Sequence, residues 1–348
     1  MTSDPHGNSE PEQPVTDVSS GTGARAFPAH LKARREELES QVAHARENFD
    51  KQVAHARENF DEAQERIKAR TGRDLIGAIL IGLALGAVVL GSLLFLKWIF
   101  VILAVVAAGA AVYELARAFQ TAGRRIDLIP QLVTAVALVG SAYVAETWAL
   151  WVLLFAGVSL IIVWRLIGQM SAQDGRVRRE VLGDILASVL IPVYIPFLTT
   201  LALLVLREEN GQNWIILFLT VVVSADTGAY AIGLWLGKHP MAPRVSPKKT
   251  WEGLGGAAVF AVVTATLVCI FLLGLPWWTG LVCGLALLLT ATLGDLGESM
   301  IKRDLGIKDM SSWIPGHGGI LDRLDSILPS AVAVLALHHF LSPLAVLS

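Results

Sequence analysis

Five carboxylates stand inside otherwise apolar stretches of this chain. Asp226 lies in Ser224-Ala-Asp226-Thr227-Gly228-Ala-Tyr230. Asp295 and Glu298 lie in Gly294-Asp295-Leu296-Gly297-Glu298-Ser299, and Asp322 and Asp325 in Gly318-Gly319-Ile-Leu-Asp322-Arg323-Leu-Asp325-Ser326. A carboxylate at hydrocarbon depth is costly unless paired or hydrated, so each is a functional candidate. Asp295 and Glu298 are spaced i,i+3, as are Asp322 and Asp325, which puts each pair on one helical face. Two acidic faces meeting in a cavity repel unless a cation lies between them, and hard oxygen ligands suit Mg²⁺ or Mn²⁺. The plainer alternative is that Asp322–Arg323 and Glu298–Lys302 are ion pairs at a membrane surface.

The basic residues lie in the connections next to these acids: Lys248-Lys249, Lys302-Arg303, Lys308 and Arg323. Membrane topology accounts for some of that charge. It does not account for Ser246-Pro-Lys-Lys-Thr250-Trp-Glu-Gly253 or Pro315-Gly-His-Gly-Gly319. Glycine runs let backbone N–H groups approach an anion closely, and basic side chains beside a carboxylate-held divalent ion suit a polyphosphate. No Gly-x-x-x-x-Gly-Lys-Ser/Thr run occurs, so this is not a P-loop.

The elements that carry these residues are apolar helices. The chain of 348 residues is 54% hydrophobic and 17% charged, with a mean hydropathy of +0.57, against about a quarter charged in an ordinary soluble domain. Residues 1–73 hold 11 of the 28 Lys and Arg and 13 of the 30 Asp and Glu, and none of the ten Trp. The rest predicts an all-α polytopic membrane protein over residues 74–348, and a soluble enzyme is excluded. About nine spans are expected, near 75–95, 98–116, 128–145, 148–168, 181–206, 213–236, 252–274, 279–301 and 320–341. The net charge of −2 gives no reason to expect a nucleic-acid partner. Cys269 and Cys283 both lie in apolar runs, so neither a disulfide framework nor a Cys metal site is expected. The first 70 residues lack the apolar core of a signal peptide, and the N-terminus is expected to be retained.

Basic residues also set the expected orientation. Arg117, Arg124 and Arg125 lie between spans two and three, and Arg165, Arg176, Arg178 and Arg179 between four and five. Lys238, Arg244, Lys248 and Lys249 follow span six; Lys302, Arg303 and Lys308 follow span eight. The alternate connections are nearly bare. The positive-inside rule then predicts a cytoplasmic N-terminus and an external C-terminus in a cell (inner) membrane. Trp98, Trp148, Trp214, Trp277 and Trp278 fall at span ends, where interfacial aromatics are expected.

The extension divides in two. Residues 1–30, rich in Ser, Pro, Gly, Thr and Glu, read as a disordered polar tail. In 31–73 the decapeptide 41–50 recurs unchanged as 52–61. An offset of eleven residues is close to three helical turns and aligns Val42, Ala45 and Phe49 with Val53, Ala56 and Phe60. The expectation is a cytoplasmic amphipathic helix, either a partner-docking helix or a solvated stalk, the latter favoured because two repeats do not establish a supercoil.

Ser299-Met-Ile-Lys302-Arg303, then Lys308-Asp309, then Pro315-Gly-His317-Gly318-Gly319-Ile-Leu-Asp322-Arg323-Leu-Asp325 resembles the signature of the phosphatidate cytidylyltransferase (CDP-diacylglycerol synthase) family. The 224–230 and 246–253 segments and the multi-span layout resemble that family too, over roughly residues 75–345 and not 1–73. The resemblance implies the reaction CTP + phosphatidic acid → CDP-diacylglycerol + pyrophosphate in phospholipid biosynthesis, in a cytoplasm-facing cavity of the bilayer. It implies a homodimer and a two-metal centre of Mg²⁺ with K⁺. Matching positions make Asp295 and Asp322 the first metal ligands, with Asp325 and Asp226 next. Asp295, Asp322, Lys302 and Arg303 would carry catalysis, and Ser224, Lys248, Lys249, Lys308, His317, Gly318, Gly319 and Arg323 would bind substrate.

Phosphatidate is already ionised near neutral pH, so its phosphate can attack the α-phosphorus of CTP without a strong base. Charge cancellation and in-line alignment are what the step requires. His317 is accordingly expected to bind substrate or shape its loop. Two other classes stay open on the residues: a CTP-dependent membrane lipid kinase, which would move the γ-phosphate, and an ion-coupled transporter. Transporters place intramembrane acids near mid-bilayer, often in repeated halves, whereas these acids sit at one end of their spans.

Overall fold

The computed structural model describes residues 75–171, 175–311, 313 and 318–346. The polar tail, the repeat at 41–61 and His317 lie outside the described residues. Helices make up almost all of what is described: α1 (Leu75–Phe95), α2 (Lys97–Thr121), α3 (Leu128–Ser141), α4 (Thr147–Ser171), α5 (Arg178–Tyr194), α6 (Pro196–Arg207) and α7 (Gly211–Leu236). A hairpin of β1 (Pro240–Ala242) and β2 (Ser246–Thr250) follows. Then come α8 (Trp251–Phe271), α9 (Trp277–Asp304), the single turn α10 (Leu321–Leu324), α11 (Ile327–Leu341) and a 3₁₀ turn, Ser342–Val346.

Among the described residues, seven helical segments are long and apolar enough to cross a membrane, against the nine expected. Gly82–Phe95, within α1, and Leu128–Ser141 are apolar but shorter. The outward faces carry large apolar side chains: Phe95, Trp235 and Phe271 are at least 80% exposed. A surface of that kind calls for lipid rather than water around it.

Three local features differ from the sequence expectation. The fifth span is two helices rather than one. Pro192 lies inside α5 and Pro196 starts α6; proline cannot donate to the helical ladder and crowds the preceding turn, so the helix breaks at Ile195. The second departure is the antiparallel hairpin, which pairs Pro240 with Thr250 and Ala242 with Ser246 in a chain expected to be all-α. Glu252 closes it by accepting the backbone N–H groups of Lys238 and His239 at 3.1 and 3.2 Å. Trp214, expected at a membrane interface, is instead buried at 3% exposure, edge-on to His338; Trp98, Trp148, Trp277 and Trp278 are exposed.

The connections gather at two ends. At one, Arg176 donates to the Gly123 carbonyl at 2.8 Å and the Arg125 backbone N–H to Asp184 at 3.2 Å. There Arg165, far from being a loop charge, is buried against the fully buried Asp184 at 2.8 Å. At the other end Arg207 donates to the Ala145 carbonyl at 2.7 Å and the Thr147 hydroxyl at 2.8 Å.

Missing side chains set the tightest helix contacts. A Cβ on Gly228 would lie 2.8 Å from Phe260 Cβ and 2.9 Å from the Gly256 carbonyl oxygen, and one on Gly253 would lie 2.9 Å from the Ala229 oxygen. Hence α7 and α8 pack backbone to backbone. Gly280 and Gly284 do the same between α9 and α8, against Thr266 and Val262. On the other side of α9, a Cβ on Gly294 would sit 2.3 Å from the Asp325 carbonyl oxygen, and Thr290 donates to Ser330 at 3.0 Å. These close approaches bring residues 226, 295 and 325 to one place.

Candidate active site

A cavity of about 430 Å³ opens where α7, α8, α9 and the start of α11 meet the hairpin. Asp226 enters it from α7, Lys248 and Lys249 from β2, Asp295 from α9, and Asp322, Arg323 and Asp325 from the α10 region. Its floor is apolar, formed by Leu254, Ala257, Leu288 and Ala291. Thr250 caps α8 by accepting the Gly253 N–H at 3.1 Å. That cap ends β2 and holds Lys249 over the cavity.

The charges are interlocked. Lys249 pairs with Asp295. Lys302 bridges Glu298 at 2.5 Å and Asp322 at 2.8 Å. The expected Glu298–Lys302 pair is therefore present, and the same lysine pairs with Asp322. The second Asp322 oxygen accepts the backbone N–H groups of Gly319 at 2.7 Å and Met310 at 3.0 Å. Glu298 is fully buried and its Oε1 has no hydrogen-bond partner. Asp226, Asp295 and Asp325 lie close enough to act electrostatically on one another.

Some predicted site residues fall elsewhere. Ser224 returns its hydroxyl to the Val221 carbonyl at 2.9 Å and does not line the cavity. Arg303 donates to the Val245 carbonyl at 3.2 Å, fastening the hairpin tip to the end of α9. Lys308 is exposed on the segment after α9. Gly318 has φ +79 and Gly319 is buried. This turn places the Gly319 N–H on Asp322; a Cβ on Gly318 would meet Asp322 Oδ2 at 2.8 Å.

Two residues at the site have no counterpart in the sequence expectations. Tyr194 ends α5 at the helix break. Its hydroxyl is buried without a hydrogen-bond partner, within electrostatic reach of Glu298, Asp325 and Asp295; the flanking Pro192 and Pro196 were its only signal. Glu114, in α2, is 1% exposed. It accepts the Ser311 hydroxyl at 2.5 Å and the N–H groups of Ile320 and Leu321 at 3.0 and 2.8 Å. In sequence it resembles half of an i,i+3 ion pair with Arg117, but Arg117 turns to Tyr113 and Gln120.

A hard divalent cation fits the donor chemistry here, since the carboxylates are oxygen donors whose mutual repulsion a cation relieves. Among the described residues no three His, Cys, Asp or Glu side chains are gathered closely enough to ligate one ion. Lys249 and Lys302 take up three of the carboxylates, Asp295, Glu298 and Asp322.

This is a helical membrane protein with an acid- and lysine-lined cavity between its helices. The chain belongs to the cytidylyltransferase family, whose model matches residues 76–341. It is similar to the phosphatidate cytidylyltransferase of Mycobacterium bovis, 39% identical over 275 residues that cover 76% of this chain and 88% of that protein. The Mycobacterium leprae protein of that name is 37% identical over 271 residues, 76% of this chain and 87% of that one. The Haemophilus influenzae protein is 41% identical over 156 residues, 42% of this chain and 54% of that one.

Proposed function

We propose that this chain transfers the CMP group of CTP to phosphatidic acid, releasing pyrophosphate, in the cavity between α7, α9 and the hairpin. The observation that carries the reading is the meeting of Lys248, Lys249 and Lys302 with Asp226, Asp295, Asp322 and Asp325 among apolar helices. A tetra-anionic nucleotide and an anionic lipid meet only where cationic side chains lie at the membrane edge. The apolar floor and lipid-facing helices suit a substrate that stays in the bilayer.

Lys248, Lys249, Lys302, Arg303 and Arg323 are assigned to the phosphates of CTP and lipid. Gly318, Gly319, His317 and Lys308 are assigned to substrate binding. A triphosphate attracts the Lys249 and Lys302 ammonium groups away from Asp295 and Asp322, freeing those carboxylates as donors. Asp295 and Asp322 would then hold Mg²⁺, with Asp325 and Asp226 beside them and K⁺ as a second ion. Such an ion supplies neutralisation of charge on the reacting phosphates. The ionised phosphate of phosphatidate is the nucleophile, so the chain's task is alignment and charge cancellation.

The topology that fits is nine crossings in a cell membrane, with the site and the N-terminus on the cytoplasmic side and the C-terminus outside. It is supported by the concentration of Arg and Lys in the connections at the site's end. A homodimer accompanies this reading.

Membranes carrying the chain are expected to move label from α-³²P-CTP into chloroform-extractable lipid only when phosphatidate is supplied. Incorporation independent of phosphatidate would overturn the assignment.

A further inference from the structure

The geometry points to Glu114 as the positioning residue for Asp322, acting through Ser311, Ile320 and Leu321. This rests on the reading of Asp322 as part of a cytidylyltransferase site. Glu114 comes from α2, a helix that contributes nothing to the cavity wall. Its carboxylate is almost wholly inaccessible, and among the described residues it has no cationic partner. Among the described residues its hydrogen bonds come from the Ser311 hydroxyl and the Ile320 and Leu321 N–H groups. A carboxylate buried this deeply is stable only while those donors stay in place.

The segment it holds is the one that sets Asp322. Ile320 and Leu321 immediately precede Asp322, and their N–H groups have no partner within the single turn of α10. On the other side of the same turn Asp322 accepts the N–H groups of Gly319 and Met310. The two carboxylates thus hold Met310, Ser311, Gly319, Ile320 and Leu321 between them, with Gly319 next to both. A Cβ on Gly319 would lie 2.7 Å from Glu114 Oε2, so the close approach needs a glycine there. If Glu114 is removed, the turn loses its anchor to α2, and Asp322 loses the fixed angle at which it faces Lys302 and Asp295. A displacement on the scale of 1 Å at a reacting centre costs about 100-fold in rate.

The test compares wild type, Glu114→Gln, Glu114→Ala and Ser311→Ala as full-length protein in detergent micelles. Two readouts are taken: backbone hydrogen exchange across 310–324, and turnover with the half-saturating Mg²⁺ concentration. Glu114→Gln keeps the shape and one acceptor oxygen. It is expected to speed exchange at 320 and 321 about tenfold and to lower kcat about tenfold, with the KM for CTP changed less than twofold and the Mg²⁺ requirement raised. Glu114→Ala should be lower still, and Ser311→Ala milder than either. Exchange in α4 and α8 should stay as in wild type. Faster exchange with unchanged kcat and Mg²⁺ requirement would make Glu114 a fold anchor only and overturn the proposal. Unchanged exchange, or exchange raised throughout the protein, would overturn it too. If wild type itself moves no label, the functional reading fails, and exchange at 320 and 321 still decides whether Glu114 holds the turn.

Discussion

Lys302 Nζ lies 2.8 Å from Asp322 Oδ1, joining the last turn of α9 to the turn that carries Asp322. The same ammonium holds Glu298, which is fully buried. Removing the cation strands two carboxylates, one of them with no access to water. Lys302→Met is therefore expected to destabilise the chain by about 3 kcal/mol, read as a lower thermal midpoint in detergent. Asp322→Asn keeps the volume and should express normally while losing about 100-fold or more in label incorporation.

Gly294 tests the packing that brings the acids together. With the Asp325 carbonyl oxygen 2.3 Å from where its Cβ would be, Gly294→Val must push α9 away from the start of α11. Asp295 and Asp325 then separate, and activity should fall at least about tenfold. Gly109→Ala, where a Cβ meets nothing within 4 Å, should leave activity unchanged and stabilise α2 by about 0.5–1 kcal/mol. Activity assays and melting curves on both variants check the pair.

The Tyr194 hydroxyl is buried without a hydrogen-bond partner beside the acid cluster. An unsatisfied buried hydroxyl costs about 1–3 kcal/mol, so Tyr194→Phe should melt no lower than wild type. If the hydroxyl serves the site, the same variant turns over more slowly. Equal turnover would remove Tyr194 from the site.

Deleting residues 1–60 should leave specific activity within about twofold of the full chain, because every residue placed at the site lies between 114 and 325. An inactive truncation would give the repeat at 41–61 a role beyond that of a stalk.

The acids were legible because charge within apolar runs is expensive, and the i,i+3 spacing of Asp295 with Glu298 and of Asp322 with Asp325 marks a shared face. Lys248 and Lys249 were legible as a basic pair, but not the strand that carries them, since a five-residue strand closed by Glu252 leaves little periodic trace. Glu114 escaped because its partners lie about two hundred positions away, where no local spacing reveals them. Arg165 escaped because a basic residue near a span end looks topological until Asp184 is found against it. Ser224 was over-read, its hydroxyl being used by its own helix. The break at Ile195 was written in Pro192 and Pro196, yet the apolar run across it reads as one continuous span.

Transfer of the α-phosphorus is the centre of the account, and a paired-label experiment on the purified chain measures it. With α-³²P-CTP and γ-³²P-CTP in parallel, phosphatidate and Mg²⁺ present, the account predicts α-label in lipid matched one for one by γ-label in pyrophosphate. Label from the γ-position in lipid would contradict it and assign the cavity to a kinase.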